Sequence, residues 1–212
     1  MALFITFEGI EGCGKTTQIK RLADRLEGYG LPLVATLEPG GTDIGRRIRQ
    51  ILLDAKSKDL TPLTELILYI ADRTQHVEEV IKPALEAGKW VLCDRFFDAT
   101  MAYQGSARGQ DEALIRFLNE MATQGLVPDL TFLLDCPVEV GLQRARKRDS
   151  QGTQKGQDRF EREAVAFHLK VRDAYLALAE THSKRFAVID ASVDRDVMEK
   201  AILDRLKPHM EE

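Results

Sequence analysis

Little in this chain is arranged for pairing or anchoring. Its three cysteines, Cys13, Cys93 and Cys136, are odd in number and far apart, which excludes a disulfide framework and the paired spacing of a zinc or redox site. Cys93 and Cys136 sit in or beside apolar runs, where a buried inert thiol is expected, whereas Cys13 lies in a glycine turn and reads as reachable. No apolar run approaches the ~18 residues of a membrane helix, so no membrane contact is expected. The N-terminus lacks a basic stretch followed by a long apolar segment and a cleavage-like site, which argues against a signal peptide and for a cytoplasmic, reducing setting. Neither sign of charge dominates: 30 Lys and Arg stand against 34 Asp and Glu, for a net charge of −4. That excludes the strongly basic face of a general nucleic-acid binder and leaves only local basic clusters for small anions. The four histidines, His76, His168, His182 and His209, show no metal spacing and carry no assigned role. With no internal repeat and no linker-like composition, residues 1–212 read as one domain, large enough to bury a full core.

What is present is an alternation. The runs "LFITFEG", "LPLVATLEP", "KWVLCDR", "DLTFLLDC" and "RFAVIDAS" are short, apolar or β-branched, and bounded by turn or charged residues, as expected of strands buried on both faces of a parallel sheet. Between them lie helical patterns. "KTTQIKRLADRLEGYG" places Ile19, Leu22, Ala23 and Leu26 on one face and closes near Gly28 and Gly30. "PLTELILYIADRTQHVEEVIKPALEAG" reads as one long helix with Pro83 as a kink or break. "DEALIRFLNEMATQG" and "AVAFHLKVRDAYLALAETH" add two more. The polar, basic stretch "RARKRDSQGTQKGQDR" reads as a mobile loop between helices. The expected class is α/β, a five-stranded parallel sheet flanked by helices with right-handed crossovers.

The first strand runs into "GIEGCGKT", residues 9–16, which matches G-x-x-x-x-G-K-[ST] between a strand and a helix. Gly9, Gly12 and Gly14 let backbone N–H groups of Ile10, Glu11, Cys13 and their neighbours converge on phosphate oxygens where a Cβ would crowd. The helix beginning at Lys15, Thr16 and Thr17 adds partial positive charge. Lys15 is placed for the β- and γ-phosphates and the Thr16 hydroxyl for Mg²⁺. The pattern therefore predicts a nucleoside triphosphate site. No guanine-reading N-K-x-D stretch is present, which argues against a GTPase. "WVLCDR" ends a strand in Asp94, as an ATPase would, but Arg95 follows at once and suggests a second anion nearby.

Loops after the strand ends share one crevice in such a sheet. Arg49, Arg73 and Arg95 could thus converge there with aromatic residues on a nucleoside monophosphate acceptor. Alternatives stand beside each assignment: Arg46, Arg47 and Arg49 as a solvated helix face, Tyr69 as core packing, Arg73 paired with Asp72 or Glu78, and Asp94 with Arg95 as a strand-end ion pair. A silent nucleotide-binding module would bind ATP without acceptor-dependent turnover, and an ATPase would release ADP with no monophosphate at all.

Taken in order and spacing, "FEGIEGCGKTT", "EPGGT", "DRF" followed by "AYQG", "PDLTFLLD", the basic stretch with "DRFE", and "VIDAS" closely resemble bacterial thymidylate kinases. The resemblance covers nearly the whole chain. It implies a P-loop NTPase fold with a short flexible lid at about 144–159, transfer of the γ-phosphate of Mg-ATP to dTMP in dTTP biosynthesis, and a homodimer. It further implies that Arg95 clamps the acceptor phosphate with help from Arg49 and Arg73, that Glu38 and Pro39 line the acceptor site, and that Tyr69 stacks on thymine. Thr100 and Gln104 match positions near the polar edge of the base, Tyr103 the tyrosine near C2′, and Glu11 the acid near the acceptor 3′-hydroxyl. Asp94 matches the carboxylate that holds Mg²⁺ through water. Family members take an extra arginine from the P-loop or from the lid. Here the P-loop has none before Lys15, so Arg146 or Arg148 is the expected catalytic arginine, with Arg144 packed on adenine. The stretch "DSQGTQKGQ" is longer than many relatives carry.

Overall fold

The structure, a computed structural model, describes residues 2–57, 59–150, 159–161 and 163–210, with side chains in the second stretch as far as Lys147. Each of the five apolar runs forms a strand: β1 (Phe4–Glu8), β2 (Leu33–Leu37), β3 (Trp90–Asp94), β4 (Leu130–Asp135) and β5 (Phe186–Asp190). They pair in parallel in the order β2-β3-β1-β4-β5. β1 lies in the middle, with Thr6 opposite Cys93 on one side and Thr131 on the other. The Thr6 and Thr131 hydroxyls satisfy each other at 2.8 Å inside the sheet.

Each of the first four strands is followed by a crossover helix or helices and β5 by a terminal helix, so both faces are covered. On one face Ile5, Phe7, Leu92 and Phe132 pack with Leu22 and Leu26 of α1 (Lys15–Gly28) and with Ile202 and Leu206 of α9 (Arg195–Met210). On the other, Phe4, Val91, Cys93 and Phe96 meet Val77 and Ile81. This double covering is why the strands read as continuous apolar runs rather than alternating ones.

The remaining helices are α2 (Asp43–Leu53), α3 (Pro62–His76), α4 (Lys82–Glu86), α5 (Phe97–Thr100), α6 (Glu112–Thr123), α7 (Val138–Ser150) and α8 (Val165–Thr181). Pro83 neither breaks nor ends the long helical pattern. A π-helical segment, Val77–Ile81, joins α3 to α4, and the proline sits in the first turn of α4. There the looser turn accommodates the missing N–H and the ring. A second π-helical segment, Met101–Ala107, follows α5 and carries Tyr103 and Gln104. One expectation is corrected. The basic stretch that reads as a loop is helical through Ser150, because α7 keeps Val138, Leu142 and Ala145 buried along one face. Residues 151–158, the rest of the expected lid, lie outside the described residues.

Candidate active site

β1 delivers the chain to Gly9, whose φ of +135° and cramped surroundings exclude a side chain: a Cβ would stand 2.5 Å from Leu134 O. Gly12, at φ +71°, is tighter still, since its Cβ would meet Gly141 O at 2.0 Å. The turn is thus pressed against β4 and α7, and its N–H groups are freed for the opposite, open side. Lys15 begins α1 and folds back over the turn, its Nζ donating to Gly9 O and Ile10 O at 3.0 Å each. Thr16 Oγ1 donates to Asp94 Oδ2 at 2.8 Å, bringing a hydroxyl and a carboxylate oxygen together at the end of β3. Cys13 is fully buried, correcting the expectation that its thiol is reachable; it points to Lys15 Nζ at 3.5 Å inside the turn. Cys93 and Cys136 are buried as expected, and burial pushes the Cys136 thiol up to about 12.

Asp94 and Arg95 do not pair with each other. Arg95, held at φ +71°, turns its guanidinium to Glu11 Oε1 (3.0 Å) and Tyr175 OH (3.1 Å) and lies over the Tyr103 ring, 4.9 Å from its centroid. Glu11 Oε1 also accepts from Tyr103 OH at 2.5 Å. Burial pushes the Glu11 carboxyl up, but His168, Arg95, Lys15 and Tyr103 outweigh it and hold the group well below the usual carboxylate range. Behind this cluster, buried Glu8 accepts from Phe96 N and from Tyr175 OH, each at 2.7 Å. Burial, and then the Asp98 carboxylate, push Glu8 up to about 7.

The loop after β2 forms the facing wall. Glu38 is buried with both oxygens engaged, Oε2 by Arg73 Nε (2.9 Å) and Nη2 (2.8 Å), and Oε1 by His76 Nδ1 (2.9 Å). Arg73 pairs with Glu38 rather than with Asp72 or Glu78, and its Nη1 donates to Thr100 Oγ1 (3.0 Å) and Asn119 Oδ1 (2.8 Å). Every nitrogen of its guanidinium is therefore taken by protein, which makes it a brace beneath the cavity. Asp72 Oδ1 accepts from Gly40 N at 3.0 Å, and burial with the Glu38 charge pushes that carboxyl up to about 7. α2 divides its arginines: Arg46 and Arg47 are exposed, while Arg49 turns inward and donates to Pro39 O at 2.7 Å. Burial lowers the Arg49 guanidinium and Arg95 lowers it further, against Tyr69 and Asp94. Those two cations therefore face one space.

That space is a cavity of about 480 Å³ lined by Glu11, Lys15, Thr16, Glu38, Pro39, Arg49, Tyr69, Arg73, Asp94, Arg95, Thr100, Tyr103 and Gln104. Tyr69 is half-buried, lining the cavity while it packs against the core. Gln104 donates its amide to Glu65 Oε1 at 2.9 Å, and Glu65 is also paired with Arg159. Phe160 closes the same side, edge-on to Tyr103 with ring centroids 5.5 Å apart. Other expected residues lie elsewhere. Thr17 is exposed on α1, and Arg144 donates to Ala191 O at 2.8 Å on the loop after β5. Arg146 is exposed on α7, and the Arg148 side chain lies outside the described residues. Sequence reasoning missed Glu8, Tyr175 and His168. The last two are seven residues apart on α8, so two polar residues on its buried face were the available signal.

The geometry, a phosphate-binding turn facing paired guanidiniums and aromatic rings across one cavity, agrees with comparisons to known proteins. The family model described as "Thymidylate kinase" matches residues 7–202. Thymidylate kinase of Geotalea uraniireducens is 57% identical over 202 residues, 95% of each chain. That of Pelobacter propionicus is 53% identical over 203 residues, covering 96% of this chain and 93% of its own. The crystal structure of thymidylate kinase from Ehrlichia chaffeensis superposes with a TM-score of 0.78 at 35% identity, over 97% of this chain and 98% of that one. On sequence and on structure alike, the chain belongs to the thymidylate kinase family.

Proposed function

We propose that this chain phosphorylates dTMP to dTDP with the γ-phosphate of ATP, and that the cavity described above is where the two nucleotides meet. The observation that carries the reading is the shared cavity: Lys15 of the P-loop and the guanidiniums of Arg49 and Arg95 line it together with the Tyr69 and Tyr103 rings. A triphosphate-only enzyme has no use for a second pair of cations beside aromatic walls.

In this reading the P-loop N–H groups and Lys15 hold the β- and γ-phosphates, with Lys15 exchanging the Gly9 and Ile10 carbonyls for phosphate oxygens. Arg95 and Arg49 fork onto the acceptor phosphate, a task for which the planar guanidinium is suited. An acceptor phosphate oxygen then attacks the γ-phosphorus in line, and ADP leaves with its β-phosphate oxygen. Tyr69 stacks on thymine, Thr100 and Gln104 read the polar edge of the base, and Tyr103 sits against C2′, where a ribose hydroxyl would lose its hydrogen bonds. Glu11 accepts from the 3′-hydroxyl. Arg73 serves by bracing Glu38 and Thr100.

Thr16 and Asp94 supply the hard oxygen donors that suit Mg²⁺. Among the described residues no group of three or more His, Cys, Asp or Glu gathers to hold a metal alone, so the phosphates would complete its ligands. When bound, Mg²⁺ neutralises charge on the β- and γ-phosphates. Arg144 on α7 packs on adenine, and Arg146 or Arg148 supplies positive charge to the transferring phosphoryl group from a lid at 144–159 of a single domain. A homodimer is supported by an apolar stripe across neighbouring helices: Leu63 and Ile67 of α3, and Leu114, Phe117 and Met121 of α6, are exposed, Phe117 by 64%. No described helix is long and apolar enough to cross a membrane, and a cytoplasmic setting suits the substrates.

The test is ADP release from Mg-ATP with each nucleoside monophosphate in turn and a no-acceptor control. Turnover with dTMP, weaker turnover with dUMP and none with AMP, CMP or GMP is expected, because a 5-methyl contact is worth only about 1–3 kcal/mol. ADP release without an acceptor would make this an ATPase. Chelation of the metal is expected to abolish turnover, and sedimentation to report two chains.

A further inference from the structure

On the inner face of α8, His168 is wholly shielded from solvent, yet neither ring nitrogen has a hydrogen-bond partner. A second orphan faces it. Glu11 Oε2 also lacks a hydrogen bond and stands 3.2 Å from His168 Nδ1, a contact short of a regular one. The other carboxylate oxygen is crowded by comparison, accepting from both Tyr103 OH and Arg95 Nη2. A buried polar atom left unpaired destabilises the fold, and native interiors seldom leave two such atoms facing each other.

We infer that His168 is a positioning residue for the acceptor: its Nδ1–H holds Glu11 Oε2 and keeps the P-loop carboxylate aimed into the cavity when Arg95 turns to the acceptor phosphate. This deepens the dTMP kinase reading and rests on it. In the structure Arg95 is shared among Glu11, Tyr175 and the Tyr103 ring. A guanidinium that forks onto a phosphate gives up its Nη2 contact to Glu11. The carboxylate is then left buried with Tyr103 OH on one oxygen and, without a donor on the other, would swing or take up a proton. His168 Nδ1 stands against that oxygen at 3.2 Å. The charged and titratable groups around the pair are Lys15, Arg95 and Tyr103, with Tyr175 and Glu8 behind Arg95. The role asks only for a proton on Nδ1.

The experiment compares the wild-type 212-residue chain with His168→Asn, His168→Phe, Glu11→Ala and the double variant Glu11→Ala, His168→Phe. Asparagine places an N–H near the former Nδ1, and phenylalanine keeps a ring with no donor. His168→Phe is expected to raise KM for dTMP about tenfold, the loss of one hydrogen bond to a charged group, with KM for ATP changed less than about twofold. It should also move the acid limb of kcat/KM for dTMP to higher pH. His168→Asn should recover most of both, and dTMP affinity measured by calorimetry should show His168→Phe adding nothing once Glu11 is Ala. Nitrogen-15 NMR of labelled histidine in the ligand-free protein should place the His168 proton on Nδ1. Equal losses in the Asn and Phe variants, an equal rise in the ATP KM, or a proton on Nε2 would each overturn the inference. A wild-type enzyme that ignores dTMP would defeat the kinase reading instead, while the NMR result would still decide the Glu11 contact.

Discussion

Replacing Arg95 by alanine separates the two halves of the site. The guanidinium contacts Glu11 at 3.0 Å and Tyr175 at 3.1 Å and stacks on Tyr103 at 4.9 Å, in each case against a side chain. A two-pronged phosphate contact made of charge-assisted hydrogen bonds is worth roughly 1.5–3 kcal/mol per bond, or about 3–6 kcal/mol gross. Part of this is already spent, because the Glu11 contact must be broken to make it. A net loss of about 3 kcal/mol remains, or roughly a hundredfold in kcat/KM for dTMP. The ATP side should barely notice, since Lys15 is anchored by Gly9 O and Ile10 O rather than by Arg95. Its KM is expected to change less than about threefold. The backbone adds an independent check. Arg95 sits at φ +71°, where a Cβ costs about 1 kcal/mol that glycine does not. Arg95→Gly should therefore match Arg95→Ala kinetically and melt about 2–4 °C higher. Steady-state kinetics with both substrates varied, and thermal melts of both variants, read these outcomes. Equal losses of ATP and dTMP affinity would refute the assignment to the acceptor phosphate, and identical melting points would refute the strain.

Lys15→Ala should abolish measurable turnover while circular dichroism and the melting curve stay near wild type, since the ammonium's present partners are carbonyls of its own turn; global unfolding would contradict this. Gly12→Ala should lose ATP binding and melt several degrees lower, because the new Cβ would lie 2.0 Å from Gly141 O, whereas Gly14→Ala meets nothing nearer than Met198 Cε at 4.0 Å and should cost only about 1 kcal/mol from its φ of +103°. Calorimetry with ATP distinguishes the two, and equal damage from both would refute the packing argument. Glu8, raised from 4.5 to about 7, binds its proton more tightly when folded, so its contribution to stability is fully present below about pH 4.5 and lost as pH rises through 7. Glu8→Gln should remove that loss, on the order of 3 kcal/mol, and urea titrations at pH 4.5 and 8 that shift in parallel for both proteins would contradict it.

How much of this could be seen beforehand depended on whether the signal was local. The five strands were legible because both faces are buried, so each appears as an unbroken apolar run such as "FITFE" or "LTFLLD". The P-loop was legible because its spacing alone dictates where the backbone goes. Pro83 was visible, but a π-helical turn that accommodates it has no one-letter signature. α7 was misread for a different reason. Its basic residues run into Ser, Gly and Gln, which look loop-like, while the stripe of Val138, Leu142 and Ala145 that sustains the helix is only three residues long. Arg46, Arg47 and Arg49 could be read together as a solvated face or, for Arg49, as an acceptor contact, and only the structure showed that Arg49 alone turns inward. Glu8 was not legible at all, and His168 and Tyr175 showed only as two polar residues on the buried face of α8. Each is a polar residue in an apolar stretch whose reason for being there lies across the fold, 167 positions away for Glu8 and Tyr175.

Those nonlocal partners decide how the site can work. The groups proposed to meet phosphate are already occupied by protein: Lys15 by two carbonyls, Arg49 by Pro39 O, Arg95 by Glu11 and Tyr175. Binding is then an exchange of partners, so each contact contributes the difference between a phosphate and the group it displaces. The exchange is favourable where the displaced group is a neutral carbonyl, as for Lys15 and Arg49, because a dianionic phosphate is the stronger acceptor. It is closer to balance for Arg95, which gives up a carboxylate, and this makes Arg95 the residue most sensitive to whatever else holds Glu11. Arg73 marks the other limit. With Glu38, Thr100 and Asn119 taking all three nitrogens and only 1% of its side chain exposed, release would leave the buried Glu38 carboxylate with His76 alone, at a cost of several kcal/mol. Of the cations that line the cavity, Lys15, Arg49 and Arg95 are therefore free to follow the substrates, and Arg73 keeps the wall against which they bind.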